Sequence, residues 1–509
     1  MALRESRRLG APLGVAAVVA GLVAAQFVAS LRNGLSNPVV SLGNRIIDHV
    51  PAAVKEFAIR VFGIKDKSAL VISILLVVLI LAVIIGRTFF SGKHRRAYGS
   101  VIVLTAIATL ASLLDAGATI FSPLPSLVAG ATAILILRWF DRRLRRTERD
   151  GQDGGALSRR DLFRALALIG VGTAAAAGAS KFLRDRASAQ LERLNVALPK
   201  PLKFLPPPPT DPALTTPGLS KLFTPNGQFY RIDTAIVVPN ISVDTWRLQI
   251  NGLVSHPREF TFQELTDRPV FELDDTIACV SNEVGGYLVG NARWLGIRLD
   301  DLIKEATPNA KADQVMGYSS DGFSAGFPLA ILDGRDAMVA IGMNGEPLPL
   351  NHGFPARIIV PGLYGYVSAT KWLTRIELTR FDQKQGYWVP RGWSALAPIK
   401  TQSRIDTPRD GSNINAGIVA IAGVAWAPTR GISHVEVRVG DSPWREAALG
   451  PEIAKTTWRQ WWIDWAATPG EPSIAVRATD GTGALQSSNR TRPDPDGAEG
   501  WHTINITVT

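Results

Sequence analysis

The sequence predicts a chain with three structural classes in series: an α-helical membrane region, an α+β domain and an all-β sandwich. About five long apolar runs occupy residues 1–185. Mixed patterns of short strands and helices occupy 226–402, and period-two strands separated by turns occupy 403–509. A proline-rich stretch over 186–225 is predicted to act as a stiff tether between the membrane region and the α+β domain.

The apolar runs are each close to the ~20 residues that cross a bilayer as a helix. Buried helices of a soluble protein would explain one such run, but not a series of them in so short a stretch of chain. We therefore predict a multi-pass membrane region. The predicted spans cover residues 9–31, 69–85, 98–114, 124–137 and 162–180.

The positive charge of the chain lies beside these apolar runs. The formal net charge is +11, yet residues 1–195 carry 26 Lys and Arg against 12 Asp and Glu, while 196–509 carry 29 against 32. A nucleic-acid-binding protein would carry its basic excess on the folded domain. The distribution therefore favours a membrane as partner and excludes nucleic acid.

Lys and Arg also predict the orientation of the spans. The basic groups at 4–8, 87–96 and 138–160 fall on one side if the N-terminus is cytoplasmic, and the loop 115–123 has neither residue. The segment 32–67 is basic on the outer side, and its pattern is typical of an amphipathic helix lying on the membrane surface. Five spans then place the C-terminal half outside the cytoplasm, anchored in the cell membrane.

A second motif bears on export. Residues 158–164 read S-R-R-D-L-F-R and precede an Ala- and Gly-rich segment, a pattern that resembles a twin-arginine export signal. An ordinary basic cluster beside a membrane helix is the alternative. Because the twin-arginine route carries folded domains, the signal favours a prosthetic group in the domain that follows.

The predicted spans carry little polar chemistry of their own. His49 and His94 both fall outside them, so the helices offer no pair of axial imidazoles for a haem. Asp115 lies near the end of a span, which gives poor support to a transport pathway. We interpret the membrane region as an anchor or docking surface.

Cys279 is the single cysteine of the 509 residues, in the run T-I-A-C-V-S-N-E-V-G-G. It cannot close an internal disulfide, which leaves packing, nucleophilic chemistry or metal ligation. A small buried hydrophobic role is the common alternative. However, the cysteine ends a short extended run and opens a loop with Asn282 and Gly285, where ligands usually bind. A thiolate there suits a soft or high-valent metal.

A second polar segment reads M-N-G-E-P-L-P-L-N-H-G-F-P-A-R over 343–357, and S-A-T-K-W follows at 368–372. It brings His352, Arg357 and Lys371 close to several glycines. Fixed cations and backbone N–H groups can together hold an anionic ligand. A structural turn with solvated charges is the alternative interpretation.

Within 226–402 the local patterns also predict individual elements. A turn is expected at Asn251-Gly252, and a capped helix is expected to begin after Thr261. The other predicted elements are strands at 246–250, 337–341, 357–360 and 373–378 and a helix at 299–306.

These motifs, with G-N-A-R-W-L-G-I-R-L-D-D-L at 290–302, resemble the sulfite oxidase family of molybdopterin enzymes over roughly 222–509. The resemblance implies a molybdenum–molybdopterin cofactor with Cys279 as the thiolate ligand of the metal and a catalytic residue. It also leaves Arg293 as a catalytic candidate facing the site. The cofactor-binding residues that it implies are Asn226, Tyr230, Arg231, Cys279, Ser320, His352, Arg357, Ser368, Ala369, Thr370 and Lys371.

The resemblance further implies transfer of an oxygen atom to or from a small substrate, with electrons exchanged with a protein or quinone partner. Two positions depart from the pattern of true sulfite oxidases. Glu283 follows Asn282 where those enzymes have arginine, and Ile341 stands where they have tyrosine. A carboxylate would repel a dianion, so sulfite is not the expected substrate. A membrane-associated branch that reduces compounds such as sulfoxides is the nearer resemblance.

The C-terminal strands match the family's immunoglobulin-like module, which is often a dimer interface, so a homodimer is the corresponding expectation. Two other functions stay open at this point. One is a non-catalytic extracytoplasmic binding protein that retains the fold, and the other is a transporter with an accessory outer domain.

Overall fold

The structure is a computed structural model that describes residues 2–31, 35–51, 54, 57–58, 61–62, 66–115, 118–149, 170–181, 189–209 and 212–509. The chain forms two compact units. Unit 1 comprises Met1–Ser188 and Thr234–Asn240, and unit 2 comprises Ala189–Asp233 and Ile241–Thr509.

Unit 1 is built from long helices. They are α1 (Ala2–Ser30), α2 (Pro38–His49), α3 (Asp66–Phe90), α4 (His94–Leu113) and α5 (Leu124–Arg149). Four segments are long and apolar enough to cross a membrane, namely Gly10–Ser30, Asp66–Phe90, His94–Leu113 and Leu124–Arg142. These segments confirm the first four predicted apolar helices. Of the fifth, residues 170–181 are helical, while the rest of it and the motif at 158–164 lie outside the described residues.

Helices α1 and α3 approach each other through glycine. A Cβ atom added to Gly14 would lie 2.7 Å from the backbone nitrogen of Gly86, and one added to Gly10 would lie 2.7 Å from its oxygen. Backbones can come this close only where side chains are absent. Small residues are the usual means of helix packing in a bilayer, where apolar burial alone does not drive association.

Unit 2 opens with a short helix, α6 (Ala189–Asn195), and continues into a mixed sheet and an antiparallel sheet. The first sheet consists of β1 (Arg247–Gly252), β2 (Arg258–Thr261), β5 (Gln314–Ser319), β6 (Ser324–Pro328) and β10 (Leu373–Thr379). Its order is β2-β1-β10-β5-β6, and β1 runs parallel to β10.

The second sheet carries the candidate site. It consists of β3 (Phe271–Ala278), β4 (Val289–Arg298), β7 (Met338–Met343), β8 (Glu346–Pro347) and β9 (Arg357–Ile359). The order is β3-β4-β7-β8, with β9 also paired to β7. Short helices connect the strands of unit 2: α7 (Phe262–Thr266), α8 (Leu299–Glu305), α9 (Gly365–Ser368) and 3-10 turns at Pro212–Thr215, Leu329–Ile331, Leu350–His352 and Val389–Arg391.

The predicted strands and helices of this region are confirmed, with ends shifted by a residue or two. The turn expected at Asn251-Gly252 is wrong, because both residues belong to β1 and pair with β10. Thr261 and Glu264 form the expected capping box at the start of α7. The second sheet is buried on both faces, because Leu295 and Ile297 contribute to one hydrophobic core while Ala292 and Trp294 contribute to another. Its side chains are therefore shielded from solvent on either side.

The C-terminal residues form two further four-stranded sheets. One consists of β11 (Gln402–Thr407), β13 (Gly417–Trp426), β16 (Ala448–Leu449) and β17 (Arg459–Ala467), and the other of β14 (Ile432–Val439), β15 (Arg445–Glu446), β18 (Ser473–Asp480) and β19 (His502–Asn505). A small parallel pair joins β12 (Asn413–Ile414) to β20 (Thr507–Val508). Residues of both large sheets, including Ile421, Trp461, Val437 and Val476, share one core.

The proline-rich stretch 186–225 differs from the expected spacer. In its described part, Arg193 donates to the carbonyl of Leu348 at 2.9 Å, and the N–H of Leu205 donates to the carboxylate of Glu272 at 2.7 Å. An extended segment has unpaired backbone groups along its length, and here the neighbouring domain satisfies several of them. From Ala189 onward the stretch is therefore part of unit 2 and packs against the rest of that unit.

Candidate active site

Cys279 follows directly after the end of β3 and lies in the interior, with 7% of its surface exposed. Its N–H donates to the carbonyl of Leu288 at 2.9 Å, which closes the loop 280–288. Burial raises the pKa of the thiol, while hydrogen bonds with Ser281 and the charge of Lys371 oppose that rise. The predicted strand-end position of the cysteine is confirmed.

Strand β3 is held along both edges. One edge pairs with β4 over its full length. On the other edge, Thr276 donates its N–H to the carbonyl of Thr456 at 3.0 Å, and the N–H of Trp458 donates to the Thr276 hydroxyl at 2.7 Å. The C-terminal sheets thus help to fix the strand that delivers Cys279.

The loop after Cys279 has a defined conformation. The Asn282 side-chain oxygen accepts the N–H of Leu288 at 2.7 Å. Gly285 has a φ of +78°, and the ring of His502 occupies the position that its Cβ would take. Glu283 is exposed on this loop. The loop therefore presents a carboxylate to solvent close in sequence to the buried thiol.

Arg357, on β9, is a buried cation whose recorded partners are neutral. Nη1 donates to the carbonyl of His352 at 3.1 Å, and Nη2 reaches the carbonyl of Ala369 at 3.5 Å. Nε has no hydrogen-bond partner among the described residues. Burial lowers the pKa of Arg357 to about 10. A buried charge without a counter-charge is costly, so this guanidinium is suited to an anion that binds from outside the chain.

Lys371 and Arg231 share one carboxylate. Lys371 Nζ lies 2.7 Å from Asp233, and Arg231 Nε lies 2.8 Å from the same group. Burial lowers the pKa of Lys371 to about 8, and the attraction of Asp233 only partly opposes this. We call Arg231, His352, Arg357 and Lys371 the basic cluster. One carboxylate for two guanidinium groups and the Lys371 ammonium leaves the cluster positive at neutral pH.

His352 is the neutral member of the basic cluster. Burial lowers its pKa to about 4, and the charges of Arg357 and Lys371 act in the same direction. Nε2 lies 3.1 Å from the carbonyl oxygen of Asn226. A carbonyl can only accept, so Nε2 carries the proton and Nδ1 is left as an acceptor.

An aromatic layer connects the basic cluster to Cys279. The ring of Phe229 stacks on Tyr230 at 5.4 Å and meets Trp294 edge to face at 5.9 Å. The guanidinium of Arg357 lies over Trp294 at 5.1 Å. Burial raises the pKa of Tyr230, as does the charge of Cys279, while Arg357 lowers it. The Tyr230 hydroxyl is thus within electrostatic reach of both groups.

Two other predicted contacts use their hydroxyls within the protein. Ser368 donates to the carbonyls of Leu363 and Tyr364 at 3.3 and 3.1 Å. Thr370 donates to the carbonyl of Gly317 at 3.5 Å. These side chains shape the segment before Lys371.

Asn226 and Ser320 have different positions. Asn226 accepts a hydrogen bond from Asn344 at 2.8 Å, and its carbonyl receives His352. Ser320 is exposed in the turn after β5, and its N–H donates to the carbonyl of Trp372 at 2.9 Å. Asn226 is therefore bonded to His352 of the basic cluster. Ser320 is bonded to Trp372, the residue that follows Lys371.

Arg293 bonds to partners outside the basic cluster, and its catalytic role stays a prediction. It forms two bonds with Asp274, at 2.7 and 2.8 Å. It also donates to the carbonyls of Leu205 and Pro206 at 3.2 and 2.8 Å. The carboxylate of Asp274 thus holds the guanidinium on the opposite face of β3 from Ile277.

Two residues near the site were not predicted. Asp275 is fully buried, and neither carboxyl oxygen has a hydrogen-bond partner among the described residues. Burial raises its pKa well above the usual value. Burial also raises the pKa of Tyr364, and the charge of Cys279 adds to that rise. Two adjacent carboxylates in a buried strand were the available signal for Asp275.

A buried thiol at a strand end, under the charge of Lys371 in the positive basic cluster, fits the site of a cofactor-dependent oxidoreductase. Residues 235–388 match the family described as Oxidoreductase molybdopterin binding domain. The chain is 34% identical over 148 residues to the uncharacterized oxidoreductase YuiH of Bacillus subtilis (strain 168), covering 72% of that protein and 29% of this chain. It belongs to the sulfite-oxidase-like family of molybdopterin oxidoreductases.

Other similar proteins belong to the same class of enzyme or have the same fold. The chain is 27% identical over 342 residues to the mitochondrial sulfite oxidase of Macaca fascicularis, and it spans 62% of that protein's length with 56% of its own. The crystal structure of the sulfane dehydrogenase SoxCD from Paracoccus pantotrophus has the same fold. It aligns with a TM-score of 0.50 at 22% identity, covering 61% of this chain and 88% of that one.

The residues present fit a molybdopterin cofactor. The unpartnered Nε of Arg357 and the buried ammonium of Lys371 suit a phosphate group. Among the described residues, no group of three or more His, Cys, Asp or Glu side chains could hold a metal. A metal at Cys279 would therefore need ligands from a cofactor, as molybdopterin provides.

Proposed function

We propose that this protein is a membrane-anchored molybdopterin oxidoreductase in which the Cys279 thiolate binds molybdenum. The observation that carries the proposal is the position of the single buried thiol within the electrostatic reach of Lys371, a member of the positive basic cluster. Structural burial would explain the thiol alone, but it does not explain a buried guanidinium without a counter-charge.

Each residue of the site has a definable task in this proposal. Arg357 and Lys371 bind the cofactor phosphate, because both lie buried and the cluster has a net positive charge. His352 offers Nδ1 as an acceptor to a cofactor N–H. Cys279 must lose its proton when the metal binds, which offsets the effect of burial on its pKa.

Molybdenum, when bound, would supply oxygen-atom transfer coupled to a two-electron change. The protein residues select the substrate. We infer a small substrate that is not a dianion, because Glu283 is exposed on the loop after Cys279. Dye-coupled assays with sulfite and with sulfoxides test this inference, and efficient sulfite turnover would contradict it.

Metal analysis tests the central proposal. Wild-type chain purified in detergent should contain about one molybdenum per chain, and Cys279→Ser should contain almost none, since a neutral hydroxyl is a poor ligand for this metal. Ser487→Ala, a change in the loop between β18 and β19, is the control and should load fully. Well-folded wild-type protein without molybdenum would refute the proposal.

Further parts of the proposal concern the surroundings of the site. The catalytic half lies outside the cytoplasm, as the Lys and Arg distribution supports. The paired C-terminal sheets are an immunoglobulin-like module that mediates a homodimer. The electron partner is a protein or a quinone. Light scattering of the detergent-solubilised chain tests the homodimer, and a monomer at all concentrations would exclude it.

A further inference from the structure

Strand β3 directs successive side chains to different layers of unit 2. Asp274 pairs with Arg293 on one face of the sheet. Side chains alternate along a strand, so Asp275 projects from the opposite face, together with Ile277. That second face is covered by the core that contains Phe229. Asp275 therefore points into the layer that lies between β3 and the aromatic residues of the site.

The Asp275 carboxyl is a buried polar group of a kind that proteins rarely leave without a hydrogen-bond partner. It is 0% exposed, and neither oxygen accepts a hydrogen bond of normal geometry among the described residues. The neighbouring N–H of Thr276 acts to lower the pKa of the carboxyl, but it donates to the carbonyl of Thr456 at 3.0 Å. Buried polar groups are almost always hydrogen-bonded, so an exception calls for an explanation such as a ligand, an ion or a bound water. The adjacent Asp274 shows the ordinary arrangement, because Arg293 neutralises it with two bonds.

A second unpartnered group lies on the same side of the sheet. Arg357 lies over Trp294, which belongs to the same core as Ile277, and its Nε has no partner. The Tyr230 hydroxyl is within electrostatic reach of Asp275, Arg357 and Cys279. A hydrogen-bond acceptor, a donor and the buried thiol thus surround one aromatic layer.

We propose that Asp275 is a cofactor-recognition residue whose carboxyl binds the aminopyrimidinone edge of the pterin. This inference rests on the proposed function. The edge carries neighbouring N–H donors, which a carboxyl group accepts side by side in a bidentate arrangement. Cys279 holds the metal, and the basic cluster holds the phosphate. Asp275 supplies a contact to the ring system that neither of these provides.

The proposal separates cofactor binding from stability. If Asp275 serves only the cofactor, replacing it with an apolar residue removes a poorly accommodated carboxyl from the cofactor-free protein. The cofactor-free variant should then unfold at a higher temperature than cofactor-free wild type. A residue that stabilises the fold would show the opposite change.

The experiment compares Asp275→Leu and Asp275→Asn with wild type and with Asp274→Asn as the matched neighbour. Full-length chains are purified from cells that make the cofactor and from cells that cannot. Molybdenum, the fluorescence of the oxidised pterin and the thermal unfolding midpoint are measured for each. Loss of a bidentate contact should lower cofactor content about tenfold in Asp275→Leu. Asp275→Asn keeps an accepting oxygen and should retain more.

Asp274→Asn should instead load normally per folded chain and unfold at a lower temperature, since it weakens the pair with Arg293. Full loading of Asp275→Leu, or a lower unfolding midpoint of its cofactor-free form, would overturn the proposal. If Asp275→Leu does not fold, wild-type loading and a lowered midpoint in Asp275→Asn would overturn it equally. Absence of molybdenum and pterin from wild type would instead refute the proposed function, and this inference with it.

Discussion

At the scale of the residue, Arg293 and Arg357 differ in the charge of their partners. Arg293 is neutralised by the carboxylate of Asp274 at 2.7 Å, whereas Arg357 is bonded to carbonyl oxygens and has an unpartnered Nε. A paired cation contributes to the fold. A buried cation without a counter-charge opposes folding until an anion binds. The charge of the partner therefore distinguishes a structural arginine from a ligand-binding one.

We predict opposite effects for methionine at these two positions. Arg293→Met leaves the Asp274 carboxylate buried and unpaired, which should cost about 3 kcal/mol of unfolding free energy while molybdenum per folded chain stays normal. Arg357→Met removes an uncompensated charge, so cofactor-free stability should hold or rise while molybdenum is lost. Denaturant unfolding and metal analysis of both variants check this. Normal loading of Arg357→Met would contradict the assignment.

Residue types and spacing singled out Cys279, His352, Arg357 and Lys371, since a thiol and three basic groups near glycines are chemically distinctive. The structure buries all four, and their roles at the cofactor stay predictions. Residue types and spacing were not sufficient to predict the positions of Arg293 or Asp275. Which face of the sheet a strand residue occupies depends on the register of its strand with the neighbouring strand. The register of β3 with β4 is a long-range property that local sequence does not show.

At the scale of the element, period-two patterns and the capping box predicted the strands and helices of unit 2 well, because these signals are local. The docking of the proline-rich stretch was missed. An extended segment has no periodicity of its own, and its attachment depends on isolated contacts such as that of Leu205 with Glu272. Local sequence carries no signal for such contacts.

The contact between the loop 280–288 and His502 of the C-terminal sheets predicts that the stability of the chain depends on pH. His502 Nδ1 accepts the N–H of Ile405 at 2.9 Å, and its ring lies against Gly285. Burial, helped by the charge of Arg404, lowers the pKa of His502 to about 4. An unfolded chain has a histidine pKa of about 6.5. The unfolded state therefore binds the proton first as the pH falls.

The unfolding free energy of the cofactor-free chain should consequently fall between about pH 6.5 and pH 4. His502 contributes at most ~1.4 kcal/mol per pH unit, and His352 contributes with the same sign. His502→Gln should flatten the dependence without abolishing it. Thermal unfolding followed by tryptophan fluorescence across this range measures the slope. An unchanged slope in the variant would show that His502 titrates normally.

At the scale of the whole molecule, charge and hydropathy separate the chain into a basic, apolar half and a nearly neutral catalytic half. That separation is visible in the sequence because it is a matter of composition. The four apolar helices agree with it. Our proposal for orientation adds the Lys and Arg distribution and the motif at 158–164.

The export proposal predicts that Arg159→Lys combined with Arg160→Lys leaves the catalytic half inside the cell, because the twin-arginine route requires the pair. Protease accessibility of the C-terminus in spheroplasts measures this. Arg145→Lys with Arg146→Lys changes a neighbouring pair and should have no effect. If the C-terminal half of the Arg159→Lys, Arg160→Lys variant still lay outside the cytoplasm, the export proposal would be wrong.

The attachment of the proline-rich stretch has a practical consequence for isolating the catalytic half. Leu205 and Pro206 supply two of the acceptors of Arg293, and the same arginine neutralises Asp274 on the strand that ends at Cys279. A soluble fragment that starts at residue 226 would expose this pair to water and loosen the strand. Recombinant fragments for crystallisation or enzymology should therefore begin at or before Ala189.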